Sequence, residues 1–112
     1  MNMNYYKYNK DFPVIILGKS LTSGEAESLN EYADIIIREF PSKIAISLEN
    51  VEAIDSSGIS FLVKVSKSTR NKNIELILYG MNESLQRLFS VGGLDSFFTI
   101  CTSAEFQNIY GK

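Results

Sequence analysis

The stretch Lys43–Ile59 reads KIAISLENVEAIDSSGI, and it decides the fold class. Large apolar residues alternate with smaller ones over Lys43–Glu49, and this period of two predicts a strand packed most heavily on one side. After a polar loop, a helix is predicted to begin at Ser56 or Ser57 and to run towards Arg70, because small hydroxyl residues favour helix starts. A strand that feeds a helix is the unit from which α/β domains are built.

Outward from this stretch, strands and helices continue to alternate. Aliphatic and aromatic runs between turn residues predict four further strands: Tyr5–Tyr8, Val14–Leu17, Ile74–Tyr79 and Leu94–Ile100. The first should pair antiparallel with the second across the turn Asn9–Asp11. Capping residues predict three further helices, which begin near Thr22, Asn82 and Thr102 and end at Pro41, Gly92-Gly93 and about Ile109.

The alternation predicts one α/β domain over residues 1–112, with its core at about 5–110. Its sheet should be mixed but mostly parallel, with four to five strands and about four helices around it. In the helix that begins near Thr22, apolar residues recur at helical spacing as far as Phe40 and form one apolar stripe.

Composition excludes several classes of function. Eleven basic and thirteen acidic residues give a formal charge of −2, without the basic patch of a nucleic-acid binder or the polybasic cluster of a membrane-surface protein. The chain has no histidine, which excludes a Ser-His or Cys-His catalytic pair and any zinc site that needs histidine. No acidic residues show a paired metal-ligand spacing, so no metal and no cofactor are expected.

The single cysteine and the short aliphatic runs indicate a cytoplasmic protein. Cys101 cannot form an internal disulfide and is predicted to be a small buried apolar residue. The longest aliphatic runs, Val14–Leu17 and Ile35–Ile37, fall far short of the roughly 20 residues of a membrane span.

Asp55-Ser56-Ser57-Gly58 has the most unusual local chemistry, because two hydroxyls lie where a loop feeds a helix. Helix N-termini have unsatisfied N–H groups and a positive dipole end, so a phosphate on a serine there would be in a favourable field. The same residues are also common helix caps. Local chemistry leaves both interpretations open: helix capping and a modification site.

The wider sequence closely resembles the STAS domain, the fold of bacterial anti-sigma factor antagonists. The resemblance runs from about Tyr5 to Tyr110, and its strongest parts are Leu48, Val51, Ile54-Asp55-Ser56-Ser57-Gly58, Gly18, Leu21, Ala26, the segment 85–94, Phe98-Thr99-Ile100 and the segment 102–105. Two positions depart from the family pattern, which usually has acidic residues there: Thr22 follows Leu21, and Ser47 ends the strand before the signature.

The resemblance implies a single STAS-type domain that is a phosphorylation-switched binding module and not an enzyme. The unphosphorylated antagonist binds a partner that is both anti-sigma factor and serine kinase, and it releases this partner when Ser57 is phosphorylated. A serine phosphatase resets the switch. The implied protein acts without nucleic acid, membrane or cofactor, as a monomer or weak dimer. An alternative within the same fold is a scaffold or small subunit of a stress-signalling or lipid/anion transport assembly, which phosphorylation does not switch.

A helical wheel places the predicted partner surface on the second helix. Ile59, Leu62, Val63 and Ser66 share the face assigned to the core, while Phe61 and Val65 are predicted to be exposed, with Lys64 beside them. We therefore expect Phe61, Lys64 and Val65 to form the centre of this surface, with Ser57 at its edge. Asp55, Ser56 and Gly58 complete the expected set of partner-binding residues. The alternatives are that the helix is rotated or that a loop covers Phe61.

Gly58 is predicted to leave space beside Ser57 for a kinase active site, since it has no Cβ atom. On that expectation a Gly58→Leu protein is phosphorylated much more slowly but keeps its fold largely intact.

Overall fold

The computed structural model describes residues 5–9, 12–39 and 41–110. The turn residues Lys10 and Asp11 and the end of the first apolar stripe at Phe40 lie outside the described residues. The helices are α1 (Ser23–Arg38), α2 (Ser56–Asn71), α3 (Glu83–Val91) and α4 (Ser103–Tyr110). The strands are β1 (Tyr5–Asn9), β2 (Phe12–Ile16), β3 (Ser20–Leu21), β4 (Lys43–Ser47), β5 (Ala53–Ile54), β6 (Glu75–Tyr79) and β7 (Thr99–Cys101).

Five strands form the central sheet in the order β1-β2-β4-β6-β7. β1 pairs antiparallel with β2, and the other three pairings are parallel. The predicted mixed, mostly parallel sheet and its antiparallel edge strand are therefore confirmed. A separate parallel pair, β3 with β5, aligns Ser20 with Ala53 and Leu21 with Ile54. None of the described helices has the combination of length and apolar composition that crossing a bilayer requires.

Side chains cover both faces of the sheet. On one face, α1, α2 and α3 share a core with the sheet, and this core includes Ile44 and Ile46 of β4. On the other face, Phe106 of α4 packs with Ala45, and its ring stacks on Tyr79 with a centroid distance of 3.8 Å. The expectation that β4 packs mainly on one side is therefore wrong, because the small Ala45 leaves room for α4 on the second face.

The helix caps follow the sequence. At α1, the Glu25 carboxylate accepts a hydrogen bond from the Thr22 backbone N–H at 3.0 Å, within the predicted capping box. At α4, Thr102 and Glu105 bond reciprocally at 2.8 and 3.0 Å. Asn82 caps α3, where its side-chain oxygen accepts from the backbone N–H of Leu85 at 2.9 Å. Each cap satisfies N–H groups that the helix itself leaves unpaired.

The predicted last strand is mostly not a strand. Leu94–Phe97 forms a 3₁₀ helix, and only Thr99–Cys101 pairs with β6. The turn before it depends on Gly93, whose φ of 70° lies in the left-handed region that favours glycine. Gly92 and Gly93 thus end α3 as predicted, but the chain needs another turn before it reaches the sheet.

Candidate functional site

The loop before α2 is fastened to the β2–α1 connection. The Lys19 carbonyl accepts from the backbone N–H groups of Glu52 and Ala53 at 2.7 and 3.2 Å. The Leu21 carbonyl accepts from the N–H of Asp55 at 3.3 Å. These bonds extend the β3–β5 pairing to the first residue before the helix, so the start of α2 is held in place by backbone contacts.

Asp55 is the N-cap of α2. Its carboxylate accepts a hydrogen bond from the backbone N–H of Gly58 at 3.1 Å, while Ser56 and Ser57 are the first two helical residues. Among the described residues, neither serine hydroxyl has a hydrogen-bond partner. Since Asp55 does the capping, both hydroxyls are free for other chemistry.

A groove of about 360 Å³ lies between the beginnings of α1 and α2. Glu27 and Asn30 line it from α1, and Ser56, Ser57, Ser60 and Lys64 line it from α2. Ser57 is partly buried, whereas Ser56 is exposed. The structure thus brings Ser57 and Lys64 together on one groove, and it separates the two serines by their exposure.

The two helices that border the groove have opposite charge. Between Ser56 and Asn71, α2 contains three basic and no acidic residues, namely Lys64, Lys67 and Arg70. Between Ser23 and Arg38, α1 contains four acidic residues and one basic residue. Of these charged residues, Glu27 of α1 and Lys64 of α2 line the groove.

The predicted exposure of Phe61 and Val65 is wrong. Their side chains are 1% and 3% exposed and belong to the main core. Leu62 and Ser66 are buried as predicted, but Ile59 and Val63 are only partly buried. The buried face is rotated by roughly one residue position, about 100° around the helix. The cause is tertiary: α2 packs on α1 and on the sheet at the same time, so Phe61 fills the space between them.

The predicted role of Gly58 is also wrong. Gly58 is buried, and a Cβ atom there would lie 2.8 Å from Ile54 Cγ1 and well inside contact distance of the Leu21 carbonyl oxygen. Close approach is indeed its role, but the neighbour is the protein's own β3–β5 pair. A Gly58→Leu protein is therefore not expected to fold normally.

The two residues that depart from the family pattern have local partners. Thr22 belongs to the α1 capping box and directly precedes Ser23, which lines the groove. Ser47 is buried, and its hydroxyl donates to the Glu49 carboxylate at 3.3 Å. The other carboxylate oxygen of Glu49 accepts from the Ser103 hydroxyl at 2.7 Å, which links the end of β4 to the start of α4.

A second cavity, of about 470 Å³, lies at the carboxyl ends of β6 and β7, and sequence reasoning missed it. Phe89, Phe98 and Ile100 form part of its apolar lining, and Cys101 lies beside them. The available signal was the general tendency of clefts to form at the carboxyl ends of parallel strands. In the described part of the chain, no cluster of acidic residues and cysteine has the arrangement of a metal site.

Cys101 is only partly buried, less than the sequence predicts, yet it should react slowly. Burial raises the pKa of its thiol above the ordinary value, and the charges of Glu105 and Glu75 raise it further. Because the thiolate is the nucleophile, alkylation by iodoacetamide at pH 8 should be slower in the folded protein than in urea-unfolded protein. The rate should rise steeply at higher pH. Equal rates in the two states at pH 8 would contradict this expectation.

Comparison with known proteins gives the family. The STAS domain model matches residues 6–106. The anti-sigma-B factor antagonist of Listeria monocytogenes is 37% identical over 69 residues, which cover 62% of this chain and 55% of the Listeria protein. The aligned part of the chain thus spans about half the length of that relative. The anti-sigma-B factor antagonist of Staphylococcus aureus is 26% identical over 108 residues, which cover 96% of this chain and 100% of that protein.

A solved structure has the same fold as this chain. The crystal structure of an anti-sigma factor antagonist from Mycobacterium paratuberculosis matches with a TM-score of 0.84, covering 100% of this chain and 96% of that chain. At 15% identity this likeness shows the fold alone. Since the family model matches all but a few residues at each end, the chain belongs to the STAS domain family.

Proposed function

We propose that the protein is an anti-sigma factor antagonist, a regulatory binding protein that is switched by phosphorylation of Ser57. In its unphosphorylated form it binds an anti-sigma factor that is also a serine kinase. Phosphorylation of Ser57 releases that partner, and a serine phosphatase resets the switch. The relatives named anti-sigma-B factor antagonists support this proposal, as do the position and freedom of the Ser57 hydroxyl. The protein would act in the cytoplasm, without a cofactor.

The observation that carries the proposal is the position of the Ser57 hydroxyl and its lack of a hydrogen-bond partner among the described residues. The hydroxyl lies in the first turn of α2, on the edge of the groove. A phosphate adds a charge of about −1.5 to −2. Placed in a contact surface beside Glu27 of α1, that charge opposes association, because removing it from water is costly and the nearby carboxylate repels it. Asp55, Ser56 and Lys64 would contact the partner around Ser57, whereas Phe61 and Val65 support the surface from below.

Ser57→Ala should abolish phosphorylation. Incubation with ATP and the cognate kinase is expected to add one phosphate to the unsubstituted protein and to a Ser56→Ala variant, and none to Ser57→Ala. Intact-mass spectrometry measures this directly, and Ser56→Ala is a matched control because it changes the neighbouring residue of the same helical turn. Phosphorylation of Ser57→Ala to the unsubstituted extent would contradict the assignment.

Partner binding distinguishes the switch from an assembly subunit. Ser57→Asp should weaken binding to the kinase partner only in part, since one carboxylate has less charge than a phosphate. Titration calorimetry of the unsubstituted protein, Ser57→Asp and the phosphorylated protein should give successively weaker affinities. Equal affinity for phosphorylated and unphosphorylated protein would favour an assembly subunit that phosphorylation does not switch.

A further inference from the structure

Lys64 lies on the same groove as Ser57, two turns further along α2. Seven helical residues correspond to a rise of about 10.5 Å and bring the side chain back to almost the same face. Helical side chains lean towards the N-terminus of their helix, a direction that brings the Lys64 stem nearer to Ser57 and tilts the short Ser57 side chain away from it. Its flexible stem can cover much of the separation that remains.

The ammonium group of Lys64 is available. The side chain is exposed, and within residues 5–9, 12–39 and 41–110 it makes no ion pair. Lys67, by contrast, lies one turn further on and does not line the groove. Lys64 is therefore the cation of α2 that is best placed to meet a negative group on Ser57.

Apart from Lys64, the charged groups that line the groove or cap α2 are negative. Glu27 lines the groove from α1, and the Asp55 carboxylate caps α2. Both would repel a phosphate, while the unpaired N–H groups at the start of α2 would attract it. Among the described residues that line the groove, Lys64 is the only cation. A phosphate on Ser57 thus has one side-chain counter-charge within the groove.

We propose that Lys64 is the internal counter-charge of phosphorylated Ser57. The ion pair holds the phosphate along the groove and withdraws the charge of Lys64 from the surface that the unphosphorylated protein presents. Phosphorylation then changes the docking surface twice, by adding a negative group and by occupying a positive one. This inference rests on the proposed phosphorylation of Ser57.

The test uses the full chain with phosphoserine incorporated at position 57 during translation, so that no kinase is needed. Phosphorus NMR follows the second ionisation of the phosphate, whose ordinary pKa is about 6. Lys64→Met should raise the titration midpoint by roughly a few tenths of a pH unit, the size expected for an exposed ion pair. Lys64→Arg should keep the original midpoint, because it retains the positive charge.

Two further variants make the result specific. Lys67→Met, the matched control on the same helix, should leave the midpoint almost unchanged. Glu27→Gln should lower it, because this substitution removes a negative charge from the groove. The proposal is overturned if Lys64→Met leaves the midpoint unchanged, or if Lys67→Met shifts it as much. Neither result would bear on whether the kinase phosphorylates Ser57, which mass spectrometry of Ser57→Ala tests separately.

Discussion

Replacing Gly58 with alanine is expected to destabilise the folded protein by about 3 kcal/mol, the upper part of the range for overpacked sites. The new Cβ atom would collide with the Leu21 carbonyl oxygen and with Ile54. The carbonyl has little freedom to move, since it accepts the hydrogen bond from the Asp55 N–H. Alanine is favoured over glycine in helices by about 1 kcal/mol, and the clash should outweigh this gain.

Gly24→Ala is the matched control for this clash. Gly24 is also a helical glycine, but nothing lies within 4 Å of a Cβ atom built there. The same substitution should therefore be neutral or stabilise the protein by up to about 1 kcal/mol. Urea denaturation of the two variants gives both free energies of unfolding. If Gly58→Ala were as stable as Gly24→Ala, the close packing of α2 on β3 and β5 would be refuted.

Phe61→Ala should lower the free energy of unfolding by about 3–5 kcal/mol, the range for truncation of a buried phenylalanine. The side chain is 1% exposed and lies among the residues that join α2 to α1 and the sheet. Removing its ring leaves a cavity that the surrounding backbone can fill only in part. The measurement is again urea denaturation, with the slope checked for two-state behaviour.

Phe97→Ala is the comparison for Phe61→Ala. Phe97 is 41% exposed, and the hydrogen bonds that it accepts from Ser66 and Arg70 go to its backbone carbonyl, which the substitution preserves. Its loss should therefore cost much less than the loss of Phe61. A small effect of Phe61→Ala on stability, together with a large effect on partner affinity, would contradict the burial of Phe61 and indicate that it lies on the partner surface.

Local sequence predicts the parts of this fold that depend on near neighbours. Thr22 and Thr102 each have a glutamate three residues later, and both capping boxes are present. Gly92-Gly93 ends α3, where only a residue tolerant of positive φ can follow. Such interactions span one helical turn, so they can be predicted without knowledge of what the helix packs against.

The rotation of α2 was not predictable in the same way. Its sequence has apolar residues on both sides of the buried Leu62 and Ser66, with Ile59 and Val63 on one side and Phe61 and Val65 on the other. Periodicity permits either orientation. Packing against α1 and the sheet selects the orientation in which Phe61 is buried.

The sequence alone was enough to predict the α/β class, the alternation of strands and helices along the chain, the helix caps and the signature Asp55–Gly58. These features depend on residue type and on spacing within a few residues. Only the tertiary structure decided that α2 turns Phe61 inward, that Gly58 contacts β3 and β5, and that Ser57 and Lys64 share a groove with α1. Each of these outcomes depends on contacts between segments distant in sequence, where shape and volume select one arrangement among those the local pattern allows.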